Sequence, residues 1–325
     1  MKAIICTKYG LRNLVLRNTE KPIPNENEVL IEVYASSVTT HNLVMITGKP
    51  FFVRLMAGGI SKPKVKIPGS DLAGRIIAKG KNVSQFNPGD EVFGEIFPHL
   101  GAYAEYIATS ENTIVLKPAN ISFEEAAGVP QSALVALQGL RDKGQIKAGQ
   151  KVLIYGASGG IGTLAVQIAK YYETEVTGVC STKNIELVRS IGADNVIDYT
   201  KEDYSKIKEQ FDLIFAIAYR SLKKHLRLLA PGGIYVSTGG PSLKRIYQDM
   251  IIGPNLAKKK GKRIAGGWTI IPNRDDLHFI KDLIESGHIK PVIDRTYSLH
   301  EVAVAFRYYE QGHARGKVII TIKSE

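Results

Sequence analysis

The chain is 325 residues long with 44% hydrophobic and 23% charged side chains, a balance that excludes disordered, collagen-like and disulfide-stapled classes. That length suits about two domains of roughly 150 residues each. Lys and Arg outnumber Asp and Glu by 43 to 31, a net charge of +12, which admits phosphates, nucleic acid and membrane surfaces as anionic partners without choosing among them.

Met1 leads directly into the strand-like Lys2-Ala3-Ile4-Ile5 without the charged, apolar and small-residue sequence of a secretory signal. Cys6 and Cys180 are the only cysteines and lie in unrelated apolar segments, so neither a disulfide framework nor a thiolate zinc cluster is expected. A reducing cytoplasm is the expectation. Short β-rich runs follow at Glu28–Tyr34, Ala73–Ala78, Glu91–Phe97 and Tyr103–Ala108, with a turn at Asn87-Pro88-Gly89-Asp90, where proline presets φ and glycine accepts a positive one. From Ser122 the period becomes helical: Phe123–Leu140 carries apolar residues on one face, and Ser122 with Glu125 forms a capping box.

Strands and helices then alternate: strand Lys151–Tyr155, a helix from Gly160, strand Glu175–Val179, helix Lys183–Ile191 and strand Asn195–Ile197. Phe211–Ala216 and Gly233–Ser237 are further apolar strands, separated by a helical Arg220–Leu229. The pattern predicts an α/β protein whose second domain is a doubly wound parallel sheet. The run Tyr155–Ala169 is too short and too glycine-rich to span a membrane. After Ile271-Pro272-Asn273 come an amphipathic helix through Glu285, a Gly287 stop, a helix His300–Glu310 and a strand Lys317–Ile322. Such a fragment cannot bury itself, so it is expected to rejoin the N-terminal part. The expected division is 1–121, 122–266 and 267–325.

The segment Gly156-Ala157-Ser158-Gly159-Gly160-Ile161-Gly162 follows a strand and opens a helix, and a second strand comes within about 20 residues. In that context bare backbone can approach a pyrophosphate, and the helix N-terminus attracts its charge. At the end of the second strand an NAD-preferring site carries an acid, but this chain reads Val179-Cys180-Ser181-Thr182-Lys183. Hydroxyls and an ammonium suit a 2′-phosphate, so NADP(H) is favoured, with a merely solvated Lys183 as the alternative.

These features, with Ile67-Pro68-Gly69-Ser70-Asp71-Leu72-Ala73-Gly74, Gly89–Gly94, Gly101–Tyr106 and Gly312–Lys317, resemble the medium-chain dehydrogenase/reductase superfamily over nearly the whole chain. Within it the chain is most similar to the zinc-free quinone oxidoreductases, notably chloroplast-envelope quinone oxidoreductase-like proteins, through Cys180–Arg189 and Ile289–Asp294. The resemblance implies a GroES-like β-rich catalytic domain with the Rossmann domain inserted, and catalysis in the cleft between them. Zinc-dependent relatives carry metal ligands where this chain has Thr39 and Ser70, which implies a metal-free site. Without a Lewis acid alcohol oxidation is disfavoured, and hydride transfer from NADPH to a quinone or a conjugated carbonyl is implied, with solvent protonating the enolate.

The resemblance also places candidate residues. Thr39, Thr40 and Asn42 are the implied donors to developing oxygen charge. Gly156, Ala157, Ser158, Gly159, Gly160, Ile161 and Gly162 take the pyrophosphate, Ser181 and Lys183 the 2′-phosphate. Tyr199 lies on the adenosine side, Gly239 near the nicotinamide, and Lys317 is a basic residue reaching the cofactor. Asp71 reads as a structural carboxylate. A homodimer joined along the sheet edge near Ile264–Ile271 is expected by analogy. The basic run Lys258–Arg263 reads as a solvated loop. Two rival functions remain: a low-turnover NADPH-binding protein that associates with RNA or anionic membrane, and a zinc-free alcohol dehydrogenase.

Overall fold

The computed structural model describes residues 1–325 except 57–58, 219–220, 239–246, 267, 269 and 324–325. Contacts divide it into a β-rich unit, residues 1–131, 272–286 and 291–325, and an α/β unit, residues 132–271 and 287–290.

In the β-rich unit, β1 (Lys2–Cys6) pairs antiparallel with β2 (Leu14–Asn18). A larger sheet is built from β3 (Glu28–Ser37), β4 (Asp71–Lys79), β5 (Glu91–Glu95), β6 (Tyr106–Ser110) and β7 (Ile114–Leu116). The tail adds β14 (Ile293–Ser298) and β15 (Lys317–Thr321), giving the order β14-β15-β3-β4-β5-β7, with β6 also paired to β3. The last strand therefore joins the sheet beside the third, which buries its apolar Val318, Ile319 and Ile320 completely. Four short helices belong wholly to this unit: α1 (Thr40–Thr47), α2 (Phe52–Met56), α3 (Phe123–Ala127) and, from the tail, α10 (Val302–Glu310). A fifth, α9 (Arg274–Glu285), turns Leu277, Ile280, Leu283 and Ile284 inward at helical spacing.

In the α/β unit, β8 (Lys151–Tyr155), β9 (Glu175–Cys180), β10 (Asn195–Asp198), β11 (Phe211–Ala216), β12 (Leu229–Ser237) and β13 (Arg263–Ala265) form a six-stranded sheet in the order β10-β9-β8-β11-β12-β13. Its five strand pairs are all parallel among the described residues. This is the doubly wound order, whose direction reverses between β8 and β11, the crevice where such sheets bind ligands. Helices α5 (Gly160–Tyr171), α6 (Ile185–Ser190), α7 (Leu222–Leu228) and α8 (Gly253–Lys258) accompany the strands.

Three local expectations change. Phe123–Leu140 is not one helix: α3 ends at Ala127 and α4 (Pro130–Gln138) restarts after Gly128-Val129, because Pro130 has no N–H to continue the first ladder and is preset for a first helical turn. The capping box that starts α3 is present, with the Ser122 side chain accepting from the Glu125 amide at 3.2 Å and the Glu125 carboxylate accepting from the Ser122 amide at 3.0 Å. The Tyr103–Ala108 strand begins only at Tyr106, and the apolar 264–271 edge narrows to β13, which ends at Ala265.

Candidate active site

Strand β8 stops at Tyr155 and α5 starts at Gly160, so the turn between them has only four residues to reverse direction. Glycine is required at two points. Gly156 has φ +91°, and a Cβ on Gly162 would stand 2.1 Å from the Gly156 carbonyl oxygen. At Gly159 the nearest atom to an added Cβ is 3.7 Å away and no side chain caps the helix, so the turn is a shallow cradle. The first-turn amides of α5 and its dipole face that cradle, an arrangement suited to a pyrophosphate. The amides of Gly156 and Ala157 donate to the Val179 carbonyl at 3.1 and 3.2 Å, which ties the turn to the end of β9.

Past β9 the predicted 2′-phosphate residues sit beside that cradle. Ser181 is half-buried, and Lys183 is exposed and forms no ion pair among the described residues. Asn184, which the sequence reading passed over, joins the two subsites: its amide nitrogen donates to Ser158 Oγ at 3.0 Å and Ser181 Oγ at 3.2 Å. It is 5% exposed, and its Oδ1 is buried without a hydrogen-bond partner. Its signal was a buried-type polar residue three positions after Ser181, too weak to separate from a helix cap. Asp198 ends β10 beside this group; burial opposes its charge, but Thr182 and Thr200 donate to it and hold it below the usual carboxylate range. Tyr199 is 40% exposed, its ring 6.4 Å from that of Tyr155. Gly239 lies outside the described residues.

The β-rich unit holds the other candidates. Thr39 caps α1, its hydroxyl oxygen accepting from the Asn42 amide at 3.1 Å and from Asn42 Nδ2 at 3.0 Å. Asn42 Nδ2 also reaches Ser70 Oγ at 3.3 Å, while its Oδ1 is buried and unpartnered. Thr40 points elsewhere, its hydroxyl 2.8 Å from that of Tyr309. The structure thus brings Thr39 and Asn42 together with Ser70, and separates Thr40 from them. Asn42 is fully buried and both its amide protons are directed at hydroxyls, so as placed it orients Thr39 and Ser70.

Beneath this trio lies an ionic group. Asp71 opens β4, fully buried, and accepts from the Ser37 hydroxyl and from the Gln131 amide at 2.9 Å. Lys317, predicted from resemblance as a cofactor residue, is in this unit, 5% exposed, with its Nζ 3.5 Å from Asp71 Oδ2. Burial lowers the Lys317 pKa and the Asp71 carboxylate opposes that drop. Glu95 stands opposite Asp71 in the β4–β5 ladder, fully buried, with both carboxyl oxygens shut off from solvent. Burial first, and then the Asp71 charge, push its pKa well above the usual range. His41, its ring 4.3 Å from Phe97, is held below its ordinary pKa by burial. Neither Glu95 nor the pairing of Lys317 with Asp71 was visible in the sequence.

Zinc does not suit this donor set. Thr39 and Ser70, where the resemblance places the zinc ligands of zinc-dependent relatives, are neutral hydroxyls bridged by an amide that donates to both, and the Lys317 ammonium faces Asp71. Among the described residues no group of three or more His, Cys, Asp or Glu could hold a metal ion.

Residues 25–119 match the alcohol dehydrogenase GroES-like domain family, and residues 191–320 match the family described as zinc-binding dehydrogenase. The chain is 32% identical to the NADPH-dependent alkenal/one oxidoreductase of Arabidopsis thaliana chloroplasts, over 98% of this chain and 79% of that one. It is 31% identical to the chloroplast envelope quinone oxidoreductase homolog of the same plant, over 98% of each. Among solved structures the quinone oxidoreductase from Coxiella burnetii superposes with a TM-score of 0.87 at 30% identity, covering 99% of both chains.

Proposed function

The chain belongs to the medium-chain dehydrogenase/reductase superfamily, and we propose that it is a zinc-independent, NADPH-dependent reductase of quinones or α,β-unsaturated carbonyls. One observation carries this reading: a glycine cradle, open at Gly159 and closed to any side chain at Gly162, at the point where the strand order reverses. The relatives named for alkenal and quinone reduction supply the substrate class.

In this reading bound NADPH supplies the hydride. The backbone of Gly156–Gly162 and the start of α5 hold the pyrophosphate. Ser181 and Lys183 take the 2′-phosphate, and Asn184 fixes the Ser181 hydroxyl. Tyr199 offers a ring face to the adenosine side. In the β-rich unit Thr39, held by Asn42, is the donor to the developing oxyanion, and losing that donor would cost about 100- to 1,000-fold in rate. Solvent supplies the final proton. We further propose a cytoplasmic homodimer joined along the free edge of β13. No described helix is long and apolar enough to cross a membrane.

The test follows loss of NADPH and of NADH with one quinone, one short alkenal and one aryl enone, each with and without a chelator. Chelator-insensitive turnover that prefers NADPH is expected. Tight NADPH binding without turnover on any of the three would overturn the substrate class and favour a nucleotide-binding protein.

A further inference from the structure

Asn184 stands just before α6, where asparagine is among the side chains that best cap a helix. It makes no cap hydrogen bond. A short turn, in which the Asn184 amide donates to the Ser181 carbonyl at 2.9 Å, holds the residue against the end of β9 instead. There Nδ2 directs its two protons at Ser158 Oγ, 3.0 Å away, and Ser181 Oγ, 3.2 Å away. Oδ1, the atom suited to capping α6, is buried without a hydrogen-bond partner among the described residues. Helix and side chain thus both forgo a bond, and two hydroxyls receive a donor. The reverse seating of the amide would strand two buried protons in place of one acceptor oxygen, which is the costlier arrangement.

That donor decides which way the hydroxyls face. A serine oxygen carries one proton and two acceptor sites. With an Nδ2 proton on one acceptor site of each oxygen, neither hydroxyl proton turns toward Asn184, and both are left for an acceptor on the far side. Ser158 belongs to the glycine cradle, and Ser181 lies two residues before Lys183. The two protons therefore serve the two phosphate-bearing places of the proposed site, where a ligand offers only acceptor oxygens. An acid at the end of the second strand, as in NAD-preferring sites, has the opposite polarity and accepts from ribose hydroxyls.

We propose that Asn184 is the positioning residue that sets cofactor preference: by donating to Ser158 and Ser181 it turns both hydroxyl protons toward the phosphates of NADPH, and α6 goes without its cap. The proposal rests on the NADPH reading of this site and adds to it the residue that makes donors of its two serines.

Isothermal titration of NADPH and of NADH into the full chain tests it, with thermal midpoints measured on the same samples. Asn184→Ser keeps an equally good cap residue but is too short to bridge the two hydroxyls, so the midpoint should hold or rise. NADPH affinity should fall about 30-fold and NADH affinity about threefold, because both cofactors lose the oriented donor at the pyrophosphate and only NADPH loses the one at the 2′-phosphate. Ser181→Ala should cost NADPH about tenfold in the wild type and under about threefold in the Asn184→Ser background, where the hydroxyl is no longer held. Asn184→Asp, of the same shape, accepts both serine protons and should also lose the preference for NADPH, which keeps the test open if the serine variant does not fold. A wild type that prefers NADPH, with either Asn184 variant retaining that preference, overturns the proposal and leaves the NADPH reading standing. So does a Ser181→Ala cost that is the same in both backgrounds. Equal weakening of both cofactors with a lowered midpoint would reduce Asn184 to a support of the turn and overturn the proposal too. A wild type that binds NADH as tightly as NADPH, or binds neither, overturns the NADPH reading and the proposal with it.

Discussion

The turn between β8 and α5 and the ionic group under Thr39 are both functional candidates, yet they are made by opposite means. The turn is made by leaving side chains out: glycine bares the amides that the proposed ligand's charge would meet. The ionic group fills a buried interior with Lys317, Asp71 and Glu95, which satisfy or suppress one another's charge. A site defined by absent atoms leaves a mark in sequence, because only glycine meets it. A site defined by distant partners does not, because any one of its residues alone has several ordinary explanations.

The largest effect should come from breaking the charge balance. Lys317→Met leaves the fully buried Asp71 without its cation and beside a second carboxyl group. Removing one partner of a buried pair costs about 3–5 kcal/mol, and urea unfolding should show a loss of that size. The double variant Lys317→Met/Asp71→Asn should recover much of it. Equal instability of single and double variants would show that Asp71 is not what Lys317 balances.

The next effect tests the turn. Gly162→Ala puts a methyl group 2.1 Å from a backbone oxygen, which must move. NADPH affinity should fall at least about 100-fold, since the turn cannot yield without losing its amide geometry. Titration by nucleotide fluorescence measures it, and a change under threefold would sink the assignment. A smaller and more selective loss is expected at the neighbouring subsite. Lys183→Ala removes the charge-assisted contact proposed for the 2′-phosphate, so NADPH should weaken about tenfold while NADH changes little. Equal weakening of both cofactors would mean that Lys183 acts elsewhere.

Much of the α/β unit was legible because its signals are local. Apolar strands alternate with helical periods, and Gly156–Gly162 is punctuation that few other structures require. The joining of β15 to β3 followed from the inability of a short tail to bury Val318–Ile320 alone. Illegible were the features that arise from pairing across long separations. Lys317 and Asp71 are 246 positions apart, and Asn184 meets Ser158 across 26. The split at Pro130 was legible in principle, but the apolar spacing on either side concealed it. Thr39, Thr40 and Asn42 were expected to act as a set, whereas a helix start sends successive side chains in different directions, one to cap, one to Tyr309 and one inward.

The mildest test returns to the ionic group, through its pH dependence. Burial and Asp71 raise the pKa of Glu95 in the folded protein, so the folded state holds a proton that the unfolded chain releases above the ordinary Glu pKa. The sign follows: stability from this group is fully present at acid pH and declines as pH rises between the ordinary and the raised value. One proton accounts for at most about 1.4 kcal/mol per pH unit within that window. Glu95→Gln keeps the shape and can never ionise, so its stability profile should lack that decline and lie above the wild type at the alkaline end. Urea unfolding across the pH range reads the difference. Parallel profiles would mean that Glu95 is ionised in the fold, and that Lys317 then balances two carboxylates rather than one.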